Sequence, residues 1–133
     1  MDYKKFYIED DSVGKKEFHC ELTAQFSQSD MNGNLSLASI LSITSDGAVE
    51  DFALRGMDYL MLKNNNFGIL VSRSSYRFHR MPKSSERIEF VTWEEKPQPL
   101  QFMRVYQIYD SNKNLLISAR STWLCVDLSS RRI

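Results

Sequence analysis

A chain of 133 residues is long enough for one domain with a real core, and its 17 basic and 17 acidic residues cancel. That balance argues against a nucleic-acid or anionic-membrane partner, and 42% apolar with 12% aromatic content argues against disorder. Two cysteines are too few for a disulfide framework, and no apolar run approaches the ~20 residues of a membrane span.

Residues 1–15 carry charge and Gly14, and predict an edge element or a loose arm. The charged start Met1-Asp2-Tyr3-Lys4-Lys5 lacks a signal peptide's apolar segment, so the expected compartment is the cytoplasm. Lys16 to Phe26 alternates, with Phe18, Cys20, Leu22, Ala24 and Phe26 on one side and Glu17, His19, Glu21, Thr23 and Gln25 on the other. A period of two predicts a half-buried strand. The run from Ser27 to Asn34 holds Asp30, Asn32 and Gly33, which is loop chemistry.

Ser36 reads as the N-cap of a helix that extends to about Leu54 and stops at Arg55-Gly56. Leu37, Ile40, Leu41, Thr44, Ala48 and Phe52 share one third of the helical circle, and Ile43, Gly47 and Leu54 widen that arc. Such a helix is more deeply buried than an ordinary surface helix. Strands follow over Ile69–Phe78, Arg87–Trp93, Gln101–Tyr109 and Leu115–Asp127, with a turn-rich loop at 110–114. One buried helix followed by strands predicts an α+β domain, a helix wrapped by a curved antiparallel sheet. No linker divides the chain, so residues 1–133 read as a single domain.

Several short motifs recur in a fixed order: Phe67-Gly68-Ile69-Leu70-Val71-Ser72-Arg73, Arg80-Met81-Pro82, Thr92-Trp93, Ala119 to Asp127, and Arg131-Arg132. With Ile40-Leu41, Asp46, Ala48 and Gly56 on the helix, they resemble the first half of the acyl-acyl carrier protein thioesterases. Those enzymes end fatty acid synthesis by hydrolysing the acyl thioester. The resemblance implies a single hotdog fold here, where the family has two fused hotdog domains. It also implies an acyl carrier protein bearing an acyl-phosphopantetheine as partner, and no cofactor or metal.

The family's catalytic residues belong to its second domain, in a D-x-N-x-H-V-N segment ahead of the helix. The same place in this chain reads Asp30-Met31-Asn32-Gly33-Asn34-Leu35-Ser36. Asp30 and Asn32 match the pattern, but Asn34 stands where the family has His, and an amide cannot take a proton from water.

Four catalytic candidates therefore stand: Asp30, Asn32, Asn34 and Asp51. A carboxylate at Asp30 can orient water while helix amides polarise a thioester carbonyl, or it can simply close an Asx-turn. Asp51 falls inside the apolar arc, where a carboxylate needs partners. Asp46 and Glu50 lie one turn apart on the polar face, and His19 and His79 read as surface or interface residues. No metal-ligand spacing occurs. An acyl tunnel is expected from Leu37, Ile40, Leu41, Tyr76, Phe78 and Trp93. Arg73, Arg77, Arg80, Lys83 and Arg87 form the candidate surface for the acidic carrier. A lone half leaves strand edge and apolar surface uncovered, so a homodimer is expected.

Overall fold

A computed structural model of the chain describes residues 4–10, 15–95 and 101–133. In chain order the elements are β1 (Lys4–Asp10), β2 (Lys15–Thr23), α1 (Leu37–Leu54), α2 (Tyr59–Asn64), β3 (Phe67–Phe78), β4 (Arg87–Glu94), β5 (Gln101–Asp110) and β6 (Leu115–Asp127). The strands form one antiparallel sheet in the order β1-β2-β4-β5-β6-β3. This is the expected α+β hotdog architecture.

The start of α1 is set by Ser36, whose hydroxyl accepts from the Ser39 amide at 3.1 Å. Its end is set by Gly56, which takes a φ of +94° that a side chain rarely adopts. Ile40, Thr44, Gly47, Ala48, Asp51 and Phe52 are its buried face. They meet Phe90, Tyr106, Ile108, Ile117, Ala119 and Trp123 from the sheet to make the core.

Gly47 is what lets the helix lie on β4. A Cβ there would sit 2.1 Å from Cε1 of the Phe90 ring, which itself stacks on Tyr106. Gly47→Ala is therefore expected to destabilise by about 1–3 kcal/mol, the cost of overpacking a filled core, despite the better helix propensity of Ala. A urea titration without loss of the midpoint would refute this contact.

The edge-element alternative for residues 1–15 holds at Lys4–Asp10, which pairs as β1 on the flank of β2. Other sequence expectations shift. The β2 strand stops at Thr23, and Phe26 opens a 3-10 turn with 88% of its surface exposed, so it leaves the inward phase read for it. Helix α2 was not anticipated: it has six residues, too few for a helical period, and is capped by Asp58 on the Met61 amide. In β3 a bulge between Val71 and Arg73 resets the alternation. Ile69 lines a cleft beside Trp123, whereas Leu70 pairs with Leu124 and is exposed.

Candidate active site

The loop ahead of α1 closes upon itself. Asp30 Oδ1 accepts from the backbone amides of Asn32 at 2.9 Å and Asn34 at 3.1 Å, and the Asp30 amide donates to the Asn34 carbonyl at 2.7 Å. Asn34 also bridges to Lys83, which ties this loop to the one between β3 and β4. Asp30 and Asn32 are exposed and Asn34 is half-buried. The Asx-turn reading accounts for these contacts of Asp30.

Asp51 lies far along the same helix and is fully buried. Arg104 Nη1 donates to its Oδ2 at 2.9 Å, Arg55 Nε to its Oδ1 at 3.1 Å, and the Tyr7 hydroxyl to Oδ1 at 2.8 Å. Arg104 Nη1 also reaches Thr92 Oγ1 at 3.2 Å, and its guanidinium lies 4.5 Å from the centre of the Phe52 ring. Nε and Nη2 of Arg104 have no hydrogen-bond partner among the described residues. Burial raises the Glu94 carboxyl across the ladder from Arg104 above its ordinary value, against the pull of Arg104 and Arg55. Next along the sheet, Tyr106 Oη, Ser121 Oγ and Trp123 Nε1 bond to one another. The catalytic candidates are thus not brought together: Asp30, Asn32 and Asn34 share the loop before α1, while Asp51 sits inside the core.

Arg104 escaped the sequence reading. The available signal was parity, since it shares the inward phase of β5 with Phe102, Tyr106 and Ile108. A charge in that phase, and another in the apolar arc of α1, predict each other as partners.

Tyr7 gives this cluster a pH dependence. Its hydroxyl is pushed up to about 12 by burial and by the bond to Asp51. A raised pKa means the contribution is fully present below the unfolded value of about 10 and is lost as pH rises through the folded value. The destabilisation caused by Tyr7→Phe is expected to be largest below pH ~10 and to shrink toward pH ~12. Urea midpoints for both proteins across that range check it.

The residues expected to line an acyl tunnel scatter. Ile40 is in the core, and Leu37 and Leu41 are exposed. Tyr76 bonds Thr44 Oγ1 at 2.7 Å and stacks on Phe78, which is itself exposed. Trp93 must be corrected. Phe90 and Thr92 face the helix, so Trp93 in the alternate phase points out on the other side of the sheet, with Lys15 Nζ 3.7 Å from its ring centre.

Two clefts of about 200 Å³ open beside the helix instead. One is lined by Val49, Phe52, Met57, Tyr59, Leu62, Ile69 and Trp123. The other is lined by Phe18, Cys20, Leu22, Ile43, Gly47 and Phe90, with Lys5, Gln28, Asp46 and Glu50 at its polar side. Burial pushes the Cys20 thiol up, and the Lys5–Glu50 ion pair ties β1 to α1.

The basic residues also divide. Arg80 is held by Glu86 through two bonds of 2.8 and 2.7 Å, and Arg87 by Glu21 at 3.2 Å. Arg73, Arg77 and Lys83 are exposed and have no ion-pair partner among the described residues. His79 is exposed, whereas His19, read as a surface or interface residue, is buried and bonded to Glu89. No group of three or more His, Cys, Asp or Glu among the described residues is arranged to hold a metal, and no described helix is long and apolar enough to cross a membrane.

Comparison with solved structures shows the same fold. An acyl-ACP thioesterase from Bacteroides thetaiotaomicron superposes with a TM-score of 0.82 at 23% identity, over 87% of this chain and 48% of that one. A 12:0-ACP thioesterase from Umbellularia californica gives 0.77 at 13%, over 87% of this chain and 47% of that one. A 1,4-dihydroxy-2-naphthoyl-CoA thioesterase from Synechocystis gives 0.79 at 15%, over 87% and 86%. This chain therefore spans about half the length of the acyl-ACP relatives. No curated protein sequence matches it. The model of the acyl-ACP thioesterase N-terminal domain, however, matches residues 15–133, nearly the whole chain, and on that match the protein belongs to the acyl-ACP thioesterase family.

Proposed function

We propose that this chain is the acyl-recognising half of a hydrolase for acyl-acyl carrier protein thioesters, and that it hydrolyses them weakly by itself. The observation that carries the reading is the loop before α1. Asp30 spends its carboxylate on two backbone amides, and Asn34 occupies the place of a proton-accepting side chain. The clefts flanking α1 give an acyl chain apolar walls, and Arg73, Arg77 and Lys83 give an acidic carrier unneutralised charge.

The partner that completes the site sits along β3. That strand is the end of the sheet, twelve residues long, with Leu70, Val71 and Phe78 exposed. A bare edge of this kind invites strand pairing. We assign the place to a second domain of the same fold, supplied by another copy in a two-fold dimer or by a fused half. Light scattering that returned a monomer at micromolar concentration would count against the dimer.

One observation favours a second reading. The naphthoyl-CoA thioesterase is covered over 86% of its own length by this chain, so a single domain of this size makes up most of that protein's chain. A self-sufficient acyl-CoA thioesterase using Asp30 is then the alternative.

The discriminating experiment measures binding and turnover separately with the same acyl chain on carrier protein and on CoA. Saturable binding of the carrier thioester with little turnover is expected. Arg73→Glu combined with Arg77→Glu should weaken the carrier complex about tenfold or more and flatten its salt dependence, since like charges then face the acidic carrier. Equal binding of both thioesters, unaffected by these substitutions, would refute carrier recognition.

A further inference from the structure

One lysine breaks the inward phase of β1. Lys5 lies opposite Cys20 in the ladder and Tyr7 opposite Phe18, and both of those partners belong to the core beneath α1. Tyr7 suits that phase, reaching Asp51 with its hydroxyl. Lys5 does not, because an ammonium has to leave an apolar surface. It does so by crossing to α1, where its Nζ meets Glu50 Oε1 at 2.5 Å.

The pair spans the mouth of the cleft between β2 and α1. Below it lie Phe18, Cys20 and Leu22 of β2, Ile43 and Gly47 of α1, and Phe90 of β4, around about 200 Å³. Cys20 and Leu22 are each 8% exposed, so the apolar floor is nearly shut off from water. The side chains of Lys5 and Glu50 are 40% and 38% exposed. A pair so open to solvent holds weakly and is screened by salt. It can part while β1 keeps its ladder with β2, since only side chains need to swing.

Charge on the rim selects what enters. Two carboxylates, Asp46 and Glu50, stand there against the one ammonium of Lys5. A carboxylate or phosphate head is repelled at such a rim, whereas an uncharged alkyl chain gains apolar contact along the floor.

We propose that the Lys5–Glu50 pair is the gate of this cleft, closed in the structure, and that it opens to admit the tail of an acyl chain while the charged head stays outside. The proposal rests on the reading of the clefts as acyl walls, and adds how one of them is controlled. An inward lysine also guards an edge strand against pairing, but that role does not need Glu50.

Cys20 reports the state of the gate. In a Cys125→Ser background its thiol is labelled with an aromatic disulfide at fixed pH, and the parent is expected to react slowly. Lys5→Ala and Glu50→Gln should each speed labelling about tenfold or more, with urea midpoints close to the parent's, as local opening requires. Raising sodium chloride to ~1 M should bring the parent toward the same rate.

The sign of the two changes decides. Burial pushes the Cys20 thiol up, Lys5 draws it down and Glu50 raises it further. Electrostatics without a gate would therefore slow labelling in Lys5→Ala and speed it in Glu50→Gln, whereas a gate speeds both. An alkyl thioether of pantetheine, which is neither hydrolysed nor exchanged, should protect Cys20, and at lower concentration in Lys5→Ala than in the parent. Changes of opposite sign in the two variants, equal rates in all three proteins, or labelling that the thioether leaves unprotected would each overturn the proposal. Loss of carrier recognition would instead remove the thioesterase reading and leave these labelling rates as they are.

Discussion

Replacing Arg104 with Met is expected to destabilise the protein by about 3–5 kcal/mol, because it leaves the Asp51 carboxylate buried without its main charge partner. Asp51 and Arg104 are both fully enclosed, and Arg55 and Tyr7 stand on the other oxygen of Asp51. Arg55 is partly exposed and tethered to the Lys16 carbonyl at 3.3 Å, so it shields Asp51 only in part. A domain of this size has about 5–15 kcal/mol of total stability, so the loss is a large share. The pair is not thereby a net gain. Arg104 keeps two nitrogens without partners, and desolvating both ions costs several kcal/mol. Asp51→Leu combined with Arg104→Met should therefore be more stable than Arg104→Met alone. Urea midpoints and slopes on the parent, both single variants and the double variant give the coupling. A single-variant loss below about 1 kcal/mol would show that water reaches Asp51 and that the pair is not buried in solution.

The same pair marks where the sequence stops being legible. Helix α1 and the sheet strands could be read because their apolar periods are long and their caps, Ser36 and Gly56, are chemically specific. Asp51 stood out for the same reason, as a charge breaking a strong pattern. Its partner lies 53 residues away on β5, and no local rule connects them until the topology is known. Trp93 was misplaced as a tunnel residue. Trp93 follows the alternation of β4, but the inward phase belongs to Phe90 and Thr92. The bulge in β3 shifts the phase of the residues before it by one position and leaves no clear trace in composition. Asp30 could be read chemically but not decided, because catalytic and turn-forming aspartates occupy the same kind of loop. Only the two amide contacts distinguish its present role.

Those contacts set the second large expectation: the chain alone should hydrolyse acyl thioesters slowly, and Asp30→Asn should leave that slow rate nearly unchanged. Attack of water on a thioester needs a group to take the proton, a contribution typically worth ~10²- to 10⁴-fold. Asp30 is exposed and already accepts two hydrogen bonds with one oxygen, and desolvation is what would raise a carboxylate toward neutrality as a base. Asn34 has no basic lone pair to replace it. His79 is exposed just past the end of β3, its amide donating to the Leu116 carbonyl, and His19 is engaged with Glu89 on the outer side of the sheet. Asn is close in shape to Asp and can still accept from the Asn32 and Asn34 amides, so the turn should survive the substitution. Asp30→Ala should instead loosen the loop and lower stability by about 0.5–2 kcal/mol, the usual cost of losing a capping or turn contact. Turnover is measured with acyl carrier protein and acyl-CoA thioesters of one chain length, and stability of all three proteins in urea. If Asp30→Asn lowers a substantial rate by 10²-fold or more while the midpoint holds, Asp30 is a catalytic base and the chain is a self-sufficient thioesterase. If the rate is slow and unchanged, the result supports the proposal that a second domain along β3 brings the proton-accepting group, and supplying such a domain should raise turnover by ~10²- to 10⁴-fold.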